Sequence, residues 1–251
     1  MKDCSLVTIV NCNEVYEAFL VNLKTQVDVD LEIIPVRNPN NSTFSSARKA
    51  LQYGAIKATG EYLIFIHPDV RFLSKHALYD ILQEIKGIPA FGVIGVAGCP
   101  AELMNKNRVI YSSMLHGENK KRAGIPLNIP IKVQTVDECL FVQRKEYFDK
   151  VGFTHKEGWH LYAVEQCLRA EQDGFNNYVV PSNIWHISDG KSLDPNYVKQ
   201  ISLLTKEYSN EYAYINTTVK KWKTKGFFAR AYLVYYYYKQ VIKKWGRSFG
   251  I

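Results

Sequence analysis

The sequence predicts an α/β fold: a mostly parallel central sheet flanked by helices, with a helical tail at the C-terminus. Two observations carry this. Apolar runs and amphipathic stretches alternate from Leu6 to Ile66 in the order strand, helix, strand, helix, strand, the pattern of a parallel nucleotide-binding type of sheet. The run Tyr62–Ile66 is apolar throughout, bounded by Gly60 and Pro68, as expected of a strand buried on both faces. At 251 residues the chain is long enough for one substantial core. The predicted division is a main domain over 1–200 and a basic, aromatic, helical extension over 201–251.

The elements follow in order. Leu6–Val10 reads as the first strand, ending in the polar turn Asn11-Cys12-Asn13, which opens a helix through Phe19, Leu20 and Leu23. Leu31–Val36 is the second strand, closed by turn formers from Arg37 to Asn41. Ser45 or Ser46 caps the next helix, whose Ala47, Leu51, Ala55 and Ala58 recur at helical spacing before Gly60 stops it. The third strand then ends abruptly in His67-Pro68-Asp69, because proline donates nothing to a sheet ladder. By the right-handed crossover rule the three polar strand ends gather along one sheet edge, where ligands of open α/β sheets bind. An imidazole and a carboxylate at that edge suit a divalent cation holding a diphosphate. The same residues also suit a loop whose Asp caps a helix starting near Ser74.

Beyond a helix over about 75–86, Phe91–Ala97 reads as another buried strand. Residues 100–129 are polar and broken by Gly117, Gly124 and Pro126, an irregular stretch of the kind that is often functional. Val133–Val142 holds Asp137-Glu138 between apolar flanks, a short helix ends at Gly152, and His160–Gly174 reads as helical.

Composition narrows the function. No run of about 18 apolar residues exists, so no membrane span is predicted. The chain enters its first strand without a leader-like segment, so secretion is not expected. Five scattered cysteines without a Cys-x-x-Cys pair read as reduced thiols in a cytoplasmic protein. Nine of the 32 basic side chains lie from Lys220 to Ile251, where there is no Asp or Glu. The rest of the chain is therefore close to neutral, which argues against a nucleic-acid groove. On a helical wheel Phe227, Ala231, Val234, Tyr238, Val241 and Trp245 share one stripe, with Lys239, Lys243, Lys244 and Arg247 opposite. Such a helix suits an anionic membrane surface; the alternative is packing of the stripe on the domain or in a homodimer.

Four segments together resemble the GT-A-fold glycosyltransferases of the family-2-like group, from about Ser5 to Gly190. They are the first strand with Asn11; Gly54–Tyr62 with Ile64–Asp69; Val136-Asp137 with Phe141–Arg144 and Phe148–Phe153; and Tyr162–Gly174 with His186 and Gly190. His67-Pro68-Asp69-Val70 resembles a His-x-Asp-Val version of the family's Asp-x-Asp motif. The resemblance implies an inverting transfer from a nucleotide sugar, a UDP-sugar, to a glycan or lipid-linked acceptor in surface polysaccharide synthesis. It implies a divalent metal, Mn2+ or Mg2+, on Asp69 and His186, and nucleotide contacts from Asn11, Asn38, Arg48, Gln52, His67 and Asp69. Where the family places its base carboxylate, at the start of the helix, this sequence has Ala163. Glu165 two residues on, or Asp137, Glu138 or His160, is left to take the acceptor proton. Ala163 also motivates a relative that binds nucleotide sugars without transfer. A sugar-phosphate nucleotidyltransferase ranks last, because Asn11–Glu14 contains no Gly, Lys or Arg.

Overall fold

The computed structural model describes residues 2–188 and 193–248. Asp189 and Gly190 of the last motif lie outside the described residues. The first half runs β1 (Cys4–Val10), α1 (Asn13–Leu23), β2 (Leu31–Arg37), α2 (Ala47–Ala55), β3 (Tyr62–Ile66), β4 (Val70–Phe72) and α3 (Ala77–Lys86). Short strands follow: β5 (Ile94–Gly95), β6 (Ala97–Cys99), β7 (Tyr111–Ser112), β8 (Leu115–His116), β9 (Lys121–Arg122), β10 (Ile131–Val133) and β11 (Thr135–Val136). Then come β12 (Leu140–Arg144), α4 (Lys145–Val151), α5 (Tyr162–Gln172), β13 (Asn177–Val179) and β14 (Ile184–His186). The chain closes with α6 (Pro195–Glu207), the hairpin β15 (Tyr214–Asn216) and β16 (Lys221–Lys223), and α7 (Phe227–Ser248).

The central sheet has seven strands in the order β10-β13-β5-β12-β3-β1-β2. The predicted parallel trio is present, with β1 between β2 and β3. The sheet as a whole is mixed, because β12 enters antiparallel between β3 and β5. All five residues of β3 are buried, and their two-residue period divides them between two cores. Tyr62, Ile64 and Ile66 face the side packed by α1 and α3. Leu63 and Phe65 face α2, α4 and α5, where Phe65 stacks on Phe141 with ring centroids 4.8 Å apart. Gly60 permits the close approach that starts this strand. A Cβ there would lie 2.5 Å from the backbone of Cys4 and Ser5, so any side chain would push β3 away from β1.

α2 begins at Ser46, whose hydroxyl accepts the Lys49 N–H. It ends at Ala55, before the predicted stop at Gly60. The predicted strand over Phe91–Ala97 is instead two short strands, β5 and β6, which belong to different sheets. The irregular 100–129 stretch supplies β8 and β9 to a second sheet, β4-β14-β8-β9. Helices α5, α6 and α7 share a third core with the hairpin residues Ile215 and Trp222. The five cysteines are free thiols, and Cys4, Cys99, Cys139 and Cys167 are buried. Among the described residues no helix is long and apolar enough to cross a membrane.

Candidate active site

At the carboxyl edge of β3 the chain leaves the central sheet and enters the small one, and this switch builds the site. His67 N–H donates to the Cys139 carbonyl at 2.9 Å, and Ile187 N–H donates to the Asp69 carbonyl at 3.0 Å. β14 runs between β4 and β8, with His186 paired to Val70 on one side and to His116 on the other. His67, Asp69 and His186 thereby converge, with one ligating atom from each within 4.8 Å of the others. They line a cavity of about 530 Å³ together with Asn11, His116, Asp137, Glu138 and His160.

The donor set fits a divalent cation. His186 Nε2 is buried without a hydrogen-bond partner and lies 3.4 Å from Asp69 Oδ1. A buried polar atom without a partner is costly unless something binds it. Burial disfavours the His186 cation, yet Asp69 raises its proton affinity above the ordinary value. Burial likewise opposes the Asp69 charge, but the two histidines hold that carboxyl below its usual range. His67, lowered chiefly by burial, has Nε2 2.8 Å from the Tyr162 hydroxyl. Two imidazoles and a carboxylate form a mixed nitrogen and oxygen donor set of the kind that holds a first-row divalent cation.

A pair of adjacent carboxylates, Asp137 and Glu138, also lines the cavity. Asp137 accepts from the Thr218 hydroxyl at 2.6 Å and from the Cys139 N–H at 3.0 Å. Despite burial, the Thr218 bond and the His186 charge keep it below the usual carboxylate range. Glu138 behaves in the opposite way. Burial, and then its neighbour Asp137, push its carboxyl up to about 8. Glu138 Oε1 accepts the Tyr162 N–H at 2.8 Å, at the start of α5. The backbone makes room for this bond through Leu161, which is buried at φ 60° in the left-handed region. That conformation is uncommon for a residue with a side chain and is held only by its surroundings. Glu138 therefore reaches the helix start where Ala163 has no carboxylate.

The remaining predicted residues are placed as follows. Glu165, in the first turn of α5, is buried and does not line the cavity. Its Oε2 accepts from Arg48 Nε at 2.7 Å and from the Thr154 hydroxyl at 2.9 Å, and Lys156 pairs with Oε1. Arg48 and Glu165 are each 2% exposed, and Arg48 likewise does not line the cavity. Asn38 Oδ1 accepts from Thr43 and Phe44 N–H at 2.9 Å, fixing its own loop. Gln52 Oε1 accepts the Phe153 N–H at 2.8 Å. His160 lines the cavity, with Nε2 3.3 Å from Asp194 Oδ1. Sequence reasoning missed His116 and Thr218. Neither lies in a periodic segment, and each reaches the site only through a pairing distant in the chain.

The sequence pattern of a glycosyltransferase-like family matches residues 5–208. The chain belongs to that family. This glycosyltransferase-like chain also has the GT-A fold of solved neighbours. A mannosyltransferase from Pyrobaculum calidifontis, in complex with GDP-Man and Mn2+, superposes with a TM-score of 0.56 at 12% identity, covering 83% of this chain and 64% of that one. TarS of S. aureus, in complex with UDP-GlcNAc, gives 0.55 at 13% identity, covering 84% and 67%. A Drosophila galactosyltransferase with manganese, UDP-Gal and xylobiose gives 0.50 at 15% identity, covering 76% of each chain. Among curated proteins, an open reading frame of the ATP synthase subunits region of Fuscovulum blasticum is 27% identical over 137 residues. The match covers 52% of this chain and about half, 53%, of that relative.

Proposed function

We propose that the chain transfers a sugar from a nucleotide-sugar donor to an acceptor hydroxyl with the help of a divalent cation. The observation that carries this reading is the convergence of His67, Asp69 and His186 on the wall of one cavity. Asp69 and His186 hold the cation, Mn2+ in preference to Mg2+ given the imidazole ligand, and His67 completes the set or orients Tyr162. When bound, the cation supplies charge neutralisation for the departing diphosphate. Asn11, at the end of β1, lies where the nucleotide enters.

The transfer is a direct in-line attack that inverts the anomeric centre. The acceptor oxygen bonds to the anomeric carbon as the bond to the diphosphate oxygen breaks, and the acceptor proton passes to a carboxylate. Of the predicted bases, Glu165 has its oxygens occupied, and Asp137 is a weak acceptor of protons. Glu138 is the carboxylate in the cavity with high proton affinity, which suits a general base. Asp137 and His160 then orient the acceptor. Two of the three solved neighbours hold uridine nucleotides, which favours a UDP-sugar. The acceptor is a glycan or lipid-linked saccharide of surface polysaccharide synthesis, reached at the inner face of a membrane.

Ala163 supports a second reading, in which the chain binds nucleotide sugars without transfer. Melting the protein with a panel of UDP- and GDP-sugars, with and without Mn2+, tests the first claim. A Mn-dependent rise with one donor is expected, followed by release of the nucleoside diphosphate. Stabilisation without turnover across acceptors supports the second reading. No stabilisation by any donor would remove both.

A further inference from the structure

Helix α7 has two apolar faces, and the fold uses one. Ala229, Leu233 and Gln240 are buried, with Tyr236 and Tyr237 half-buried beside them against the third core. Trp222 of the hairpin meets Tyr236 edge-on, with ring centroids 5.4 Å apart. The opposite face is turned outward. Phe227, Val234, Tyr235, Tyr238, Ile242 and Trp245 are between 57% and 80% exposed. At 3.6 residues per turn these six fall in a sector about 100° wide.

Charge is arranged around that sector and not within it. Arg230 lies on one margin, and Lys239 and Lys243 on the other, all exposed. No Asp or Glu occurs from Lys220 to the end of the chain. The sector extends about 27 Å from Phe227 to Trp245. An exposed apolar strip of this length marks a contact surface.

From this arrangement we infer that the outer face of α7 docks on an anionic lipid bilayer, its aromatic strip lying among the headgroups and its marginal cations on lipid phosphates. A second copy of the chain is a poor occupant. Two-fold packing of α7 on itself would set Arg230, Lys239 and Lys243 against like charges with no acid to answer them. An anionic leaflet answers every one of them. Docking also orients the cavity. The turn between β15 and β16 supplies Thr217, Thr218 and Val219 to the cavity wall, and α7 starts just beyond β16. A docked helix thus holds the cavity within one hairpin of the bilayer. Delivery of a lipid-linked acceptor there rests on the transfer reading; the docking itself does not.

The test is co-sedimentation of the full chain with vesicles of phosphatidylcholine alone or mixed with phosphatidylglycerol. Binding to the mixed vesicles is expected, and it should weaken sharply as salt shortens the Debye length from about 10 Å at 0.1 M to about 3 Å at 1 M. Combined Phe227→Ser, Tyr238→Ser and Ile242→Ser should abolish binding. Lys239→Gln and Lys243→Gln should each weaken it about fivefold. All five side chains are exposed, so melting temperature and nucleotide response should hold, which separates this result from a failure of the transfer reading. Absence of wild-type binding, equal binding to both vesicle types, or full binding by the apolar variant would each overturn the docking surface. So would a dimer that the apolar variant converts to monomer.

Discussion

Two clusters of buried charge among the described residues differ in how completely their polar atoms are used. On α5, both carboxylate oxygens of Glu165 are engaged, by Arg48, Lys156 and Thr154. Around the cavity, His116 Nδ1 is buried without a hydrogen-bond partner, His186 Nε2 has only its 3.4 Å ion pair with Asp69, and Glu138 retains its proton to about 8. The closed cluster pins α2 to α5 and has nothing to offer a ligand. The open cluster keeps polar atoms in reserve, and partnerless or proton-holding groups gathered on a cavity wall are what a ligand can engage. Satisfaction, more than residue type, separates the structural carboxylate from the reactive ones.

The largest expected effect lies in the open cluster. Glu138→Gln keeps the hydrogen bond to Tyr162 N–H but removes the proton acceptor, so transfer should fall about 10²–10⁴-fold while the melting temperature stays put. With wild-type protein the rate should climb as pH rises towards about 8, because below that the carboxyl already holds a proton. A flat pH profile together with full activity of the variant would move the base elsewhere.

The closed cluster should respond in stability and not in chemistry. Glu165→Gln leaves Arg48 buried without its counter-charge, a loss of about 3–5 kcal/mol in denaturant unfolding. Arg48 and Lys156 outweigh burial and hold Glu165 below its ordinary value of 4.5. Its stabilisation is therefore complete above that value and is lost as pH falls through the lower folded-state value. Rate per folded molecule should be nearly unchanged. A variant that is stable but inactive would reverse the contrast between the two clusters.

A smaller effect sharpens the boundary between them. Thr218→Val removes the hydroxyl that holds Asp137, a bond to a charged group worth about 1.5–3 kcal/mol. It should lower kcat/KM while leaving the pH dependence set by Glu138 in place. A shifted pH profile would show that Asp137 shares the proton.

Much of the scaffold was legible because it obeys short-range rules. β1, β2 and β3 are apolar runs between turn formers, and α2 carries its cap and its periodicity in adjacent residues. His67, Asp69 and His186 were legible because a proline stops β3 and motif order places the last histidine. Strands of two residues, such as β8 and β9, have no measurable period, so the second sheet could not be read. The Arg48–Glu165 pair, 117 residues apart, and the Thr218–Asp137 bond, 81 apart, leave no local trace. Glu165 stood out in the sequence as the acid on the right helix, yet only packing shows that its oxygens are spent. The α7 stripe was visible as a pattern, but its outward orientation required knowing which other face α6 and the hairpin cover.

The most direct test of the central claim is calorimetric titration of UDP and GDP into wild type and Asp69→Ala, each with and without Mn2+. Mn-dependent binding of one nucleotide by the wild type is expected, with its loss in the variant and an unchanged unfolding transition. Equal Mn-dependent affinity in the two proteins would contradict the assignment of this edge of β3 as the cation and diphosphate site.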